Sequence, residues 1–120
     1  MSAEDVKKFL SMIVMKANAS EDAKKQIAEW VKHYPGKIIQ IETDGEIYHV
    51  VITKKGLKLR EGEYPSPDLI FRAPSEVLMS IFTGRKTMKD AMKNWEMLVI
   101  GAAHDGIPMA KLITTVLMGM

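Results

Sequence analysis

The sequence predicts an α+β fold of two leading helices, five short strands and three further helices, and three observations carry that prediction. Apolar residues recur every three or four positions from Ala3 to Tyr34. At Lys37 the period shortens to two, and Asp44-Gly45 between two apolar runs is the strongest short hairpin signal a sequence can give. From Asp68 onward, short apolar runs alternate with amphipathic segments punctuated by proline, glycine and capping residues.

The first helix is expected from about Ala3 to Lys16. Ser2 is a good N-cap, Asp5 sits in the first turn, and Val6, Phe9, Leu10, Ile13 and Ala17 form the apolar stripe. Ser20 caps a second amphipathic helix whose stripe is Ala23, Ile27, Trp30, Val31 and Tyr34, and Pro35-Gly36 ends it. A two-residue turn at Asp44-Gly45 pairs Thr43 with Glu46, Ile41 with Tyr48 and Ile39 with Val50. That register collects Ile39, Ile41, Tyr48, Val50 and Ile52 on one face, which must be buried. The other face mixes Gln40, Glu42 and His49 with Ile38, Ile47 and Val51, and is expected to lie partly in solvent and partly under a helix.

Lys55-Gly56 turns the chain into a third strand, Leu57 to Arg60, and the proline-bearing loop from Gly62 to Pro67 leads to a fourth, Asp68 to Ala73. Pro74 suits the first turn of a helix with Val77, Leu78, Ile81 and Phe82 as its stripe, and Gly84 supplies a residue able to take positive φ at its end. Thr87 and Asp90 make a capping pair for a short helix bearing Met88, Ala91 and Met92. A fifth strand is expected from Trp95 to Ile100. The last helix is expected to begin near Asp105, acting as its cap, with Met109, Ile113, Val116, Leu117 and Met120 on one side.

A chain of 120 residues with a 47% hydrophobic fraction reads as one domain, with residues 1–35 as a helical leader. It can bury about two-thirds of its unfolded surface. The absence of cysteine excludes thiolate zinc sites, thiol nucleophiles and disulfides, and a cytosolic location is the default expectation. No apolar run approaches the roughly 18 residues of a membrane span, and the acidic start is unlike a signal peptide. Seventeen basic against 15 acidic residues leave a net charge of +2, which argues against a nucleic-acid partner. The one basic cluster, Lys54, Lys55, Lys58 and Arg60, falls around a turn, where solvated charge is ordinary.

Catalytic signals are missing. His33, His49 and His104 lack partners at metal-ligand spacing, so neither a metal nor another cofactor is expected. His104-Asp105 is explained by the start of a helix. Ser75, Ser80, Thr83 and Thr87 stand in no nucleophile elbow, and no glycine run precedes a helix as a phosphate cradle requires. No catalytic residue is assigned, and the chain is not expected to be an enzyme. Methionine is the unusual feature: ten in the chain, with Met79, Met88, Met92, Met97, Met109 and Met118 all after residue 78. Flexible and polarizable, it serves either as core filler or as the wall of a cavity that accepts apolar ligands of varied shape.

Several segments bear on that choice. Gly36-Lys37 precedes the first strand, Pro67-Asp68-Leu69-Ile70-Phe71-Arg72-Ala73 enters a helix, and Leu78 through Ile81-Phe82-Thr83-Gly84 ends it. Ala91 comes before a strand ending Val99-Ile100-Gly101, and Ala110 to Leu117 closes the set. In this order and spacing, Gly36 to Leu117 resembles the sterol carrier protein-2 family of lipid-binding domains. One departure is Asn94-Trp95-Glu96, where the family commonly has a glycine and a lysine; the bulk of Trp95 bears on the turn and on the size of a cavity mouth.

The resemblance implies an about five-stranded, mainly antiparallel sheet covered by helices, spanning residues 36–118. It also implies a non-enzymatic carrier of a fatty acid, fatty acyl-CoA, sterol or similar lipid in an apolar tunnel between sheet and C-terminal helices. The lining expected from face and resemblance is Phe71, Leu78, Phe82, Met88, Met92, Met97, Val99, Met109, Ile113 and Leu117, with Arg85, Lys86 and Lys89 near an anionic headgroup. Expected partners are therefore a lipid or fatty acyl small molecule and, transiently, a membrane surface. The alternative is an interaction module whose Met-rich face docks another protein or a second copy as a homodimer.

Overall fold

The computed structural model describes residues 2–119, so the expectation for Met120 lies outside the described residues. Two helices, α1 (Ala3–Asn18) and α2 (Glu21–Trp30), precede three strands, β1 (Lys37–Thr43), β2 (Glu46–Thr53) and β3 (Gly56–Glu61). A fourth strand, β4 (Leu69–Arg72), is followed by α3 (Ser75–Phe82) and α4 (Met88–Lys93). A fifth strand, β5 (Leu98–Gly101), leads through a single 3-10 turn (Ala103–Asp105) into α5 (Gly106–Met118).

Local chemistry starts each helix. Ser2 and Asp5 form a reciprocal capping box on α1, and the hydrogen bonds from Ser2 hold the Asp5 carboxyl below its ordinary pKa. Ser20 and Thr87 cap α2 and α4 through their hydroxyls. Pro74 stands at the cap of α3 rather than inside its first turn and offers no side-chain bond. The carboxylate of Asp44, at the hairpin turn, accepts instead from the Ser75 amide at 3.3 Å. The Ser75 and Thr43 hydroxyls, both buried, bond at 2.8 Å, so the β1–β2 turn and the start of α3 lock together.

The sheet runs β3-β2-β1-β4-β5 and is mostly antiparallel, with β1 and β4 parallel. The hairpin takes the expected register, Ile39 opposite Val50 and Ile41 opposite Tyr48, because Asp44 and Gly45 both adopt positive φ as a two-residue turn requires. Ile39, Ile41, Tyr48, Val50 and Ile52 are buried under α1, α2 and α5, in one core with Leu69 and Phe71. Burial raises the Tyr48 phenol above its ordinary pKa.

The opposite face differs from expectation. It is covered by the loop between β3 and β4, not by a helix: His49 Nδ1 meets the Gly62 carbonyl at 2.8 Å, and the Tyr64 amide donates to Gln40 Oε1 at 2.8 Å. Those bonds account for a buried histidine and glutamine on a sheet surface. Glu42 on the same face is pushed up by partial burial and pulled down further by hydrogen bonds from Arg72 and Gln40, ending below the ordinary carboxylate range.

The fifth strand is shorter than its sequence suggests. Trp95 takes φ 61 and the Glu96 amide bonds back to the Ala91 carbonyl at 2.8 Å, so the chain stays folded on α4 until Leu98. The leader is tied to the exposed edge of β3. The Asn18 amide donates to the Leu57 carbonyl and accepts from the Leu57 amide, each at 2.9 Å, occupying positions a further strand would use. Only glycine at position 56 allows this approach, since a Cβ there would lie 2.4 Å from Asn18 Oδ1. Lys7 and Glu61 form an ion pair along the same contact.

Candidate functional site

Three elements after β4 build a half-open apolar cavity of about 250 Å³. Alternation along β4 turns Phe71 inward on the same face as Leu69, with the half-buried Ile70 and the exposed Arg72 on the other. Helix α3 then brings Leu78, Ile81 and Phe82 to the wall, one turn apart. Its end is abrupt: the Thr83 hydroxyl donates to the Met79 carbonyl at 2.7 Å, and Gly84 adopts φ 79, reversing the chain toward α4. Met88 from α4 and Met97 before β5 close one side, while Met109, Ile113 and Leu117 descend along α5.

Eight of the ten expected lining residues thus share one cavity: Phe71, Leu78, Phe82, Met88, Met97, Met109, Ile113 and Leu117. Met92 and Val99 do not. They line an adjoining groove between α4 and α5, together with Lys89 and Ile107, and this groove shares Phe71, Met88 and Ala110 with the cavity. The expected lining omitted Ile81, Thr83 and Gly84 at the end of α3 and Ala110, Thr114 and Met118 on α5. Each residue on α5 lies one position beside an assigned one, because the apolar face of that helix is wider than a single stripe, and Ile81 already stood in the apolar stripe of α3.

The lip carries the only hydroxyls of the lining, Thr83 and Thr114, and each donates to a carbonyl of its own helix. The expected headgroup cations fall in three different settings. Arg85 is exposed, with Nε donating to the Thr83 hydroxyl at 3.1 Å, which places it at the lip. Lys86 is spent on Glu96 at 2.6 Å, a half-buried pair that staples the turn after α3 to the approach of β5 and removes it from the free cations. Lys89 stands on the adjoining groove. Trp95 does not narrow the mouth: it is 90% exposed and lies outside the cavity lining.

The wall formed by α5 is anchored from the far side of the molecule. Asp105 was expected to cap this helix, yet its carboxylate makes no cap bond and is buried instead. It accepts from Lys37 Nζ at 3.2 Å and from Trp30 Nε1 at 3.0 Å, and the Lys37 ammonium also sits 3.9 Å from the centre of the Tyr34 ring. The lysine at the start of β1 and the tryptophan ending α2 therefore fix where α5 begins. His104, exposed beside this pair, is 3.9 Å from the nearer Asp105 oxygen and makes no hydrogen bond to it.

Methionines divide between these environments. Met97 is buried, Met12, Met79, Met88 and Met109 are half-buried against the core, and Met15, Met92 and Met118 are exposed. The late methionines therefore do not gather into one outward face; most of them turn toward the cavity and core.

Residues 14–102 match the SCP-2 sterol transfer family. No curated protein matches the chain in sequence. Among solved structures, the fold is similar to that of a UbiJ-SCP2 ubiquinone synthesis protein, 16% identical over 88% of this chain and 90% of that one, with a TM-score of 0.72. The apo form of Sterol Carrier Protein 2 from Yarrowia lipolytica is 12% identical over 87% of this chain and 86% of its own, with a TM-score of 0.62. Palmitated SCP2L2 from Aedes aegypti is 23% identical over 94% of this chain and 95% of its own, with a TM-score of 0.60. At these identities the likeness is one of fold.

Proposed function

The chain belongs to the SCP-2 sterol transfer family, and on that premise we propose that it is a non-enzymatic carrier of a fatty acyl or similar lipid, held in the cavity between the sheet and α3 to α5. The observation that carries the proposal is the cavity itself: half-open, walled by leucine, isoleucine, phenylalanine and methionine, with hydroxyls only at the lip. Such a site offers a hydrocarbon chain a complete exchange of water for apolar contact and leaves a polar head at the mouth. The palmitated relative supports an acyl chain as the ligand class.

The energetics suffice. Each methylene transferred contributes about 0.8 kcal/mol, so a chain of about a dozen gains on the order of 10 kcal/mol. Lost freedom of the ligand offsets several of these, which leaves affinity near micromolar. Arg85, held at the lip by Thr83, is the cation best placed for a carboxylate or phosphate. The scattering of the methionines speaks against a Met-rich docking face as the main function.

Native mass spectrometry of freshly purified protein, followed by organic extraction, tests the proposal. The expected result is a bound mass resolving into fatty acyl species, or uptake of a fluorescent fatty acid by the stripped protein, lost on replacing Met97 by Asp in a folded variant. A ligand-free mass with no uptake would sink the carrier function.

A further inference from the structure

A second void of about 50 Å³ lies deeper, between α1, the inner face of the sheet and α5. Its walls are wholly apolar and include Leu10, Ile13 and Val14 from the leader, side chains that the lipid cavity does not touch. A void of this kind stays dry and accepts nothing but hydrocarbon, since a polar group inside would find no partner. Phe82, Met109 and Ile113 line both the cavity and the void, so one layer of side chains separates the two. Within that layer Phe82 is held in place: its ring stacks on Phe9 of α1 with centroids 4.9 Å apart and planes 4° from parallel.

Resting on the carrier function above, we propose that Phe82, braced by Phe9, is the stop that sets the length of hydrocarbon chain the protein takes, and that the void beneath α1 is the blocked continuation of the site. Phe82 closes the inner end of the outer cavity, which fixes the longest tail that lies wholly outside it. A tail longer than that reaches Phe82. To go further it must turn the ring off Phe9, and losing that stack offsets what the next methylenes gain. The leader thus takes part in ligand selection through a residue that never touches the outer cavity.

The test is a titration series with saturated fatty acids from about six to about eighteen carbons, in which each methylene should tighten binding about fourfold until the stop is met. The native protein is expected to level off within the series, at the length whose tail reaches Phe82. In Phe82→Ala the rise should continue for several further methylenes, and adding Val14→Phe, which fills the deeper void, should bring the plateau back. Phe9→Leu leaves Phe82 in place but unbraced, and should move the plateau the same way by a smaller amount; this variant carries the test if Phe82→Ala does not fold. A plateau at the same length in every folded variant overturns the stop while leaving the carrier function standing. Failure of the native protein to bind any of these acids overturns both.

Discussion

Trp95 shows what a single residue decides. It takes φ 61, in the left-handed region, where a side chain with a Cβ costs about 1 to 2 kcal/mol. The bulk that threatened the cavity mouth points into solvent, so the cost is borne by the backbone alone. Trp95→Gly should raise stability by about 1 kcal/mol after the greater unfolded-state freedom of glycine is allowed for, seen as a higher urea midpoint at unchanged slope. A lower midpoint would mean that the indole packs on something it does not touch in this structure. Asp105 teaches the converse. A carboxylate before a helix reads as a cap, and it serves here as a buried anion, because its partners Lys37 and Trp30 lie far away in the sequence.

At the scale of elements, α5 is the part on which the site depends. It supplies one side of the cavity and one side of the deeper void, and its start is fixed by the Lys37–Asp105 pair. Both groups are buried, so removing one charge strands the other. Asp105→Asn should cost about 3 to 5 kcal/mol in chemical denaturation. Adding Lys37→Met should recover most of it, since no charge is then buried and asparagine still accepts from Trp30. If the double variant is as unstable as the single one, the pair is not what holds α5. Helix and strand positions were legible to within a few residues wherever the apolar period was regular, as in α1, α2 and the β1–β2 hairpin. The exception, β5, failed because the backbone of Trp95-Glu96 is set by a bond back to Ala91 and not by its own pattern.

For the whole molecule, the leader, the sheet and the C-terminal helices share one core, with Val6, Leu10 and Ile13 packed into the same cluster as Ile41, Phe71 and Leu112. A ligand that fills the cavity should therefore stabilise the entire fold. At about a hundredfold excess over Kd the gain is about 2.7 kcal/mol, or on the order of 10 °C in the melting midpoint at this size. Calorimetry with palmitate should show one transition moving upward as concentration rises. A midpoint indifferent to every fatty acid tried would count against a site inside this core.

Element order, hairpin register and the buried face of the sheet were legible in the chain alone, because each rests on spacing within one segment, whereas the lining was read from apolar faces together with the family resemblance. Tertiary structure decided the rest. It set β4 parallel beside β1, laid the β3–β4 loop over Gln40 and His49, and gave Lys86 to Glu96 and Asp105 to Lys37. It also opened the void that Phe82 closes. Periodicity reports which face of an element is apolar. Which two faces meet, and how much space is left between them, depends on packing among segments distant in the chain, where no local pattern records it.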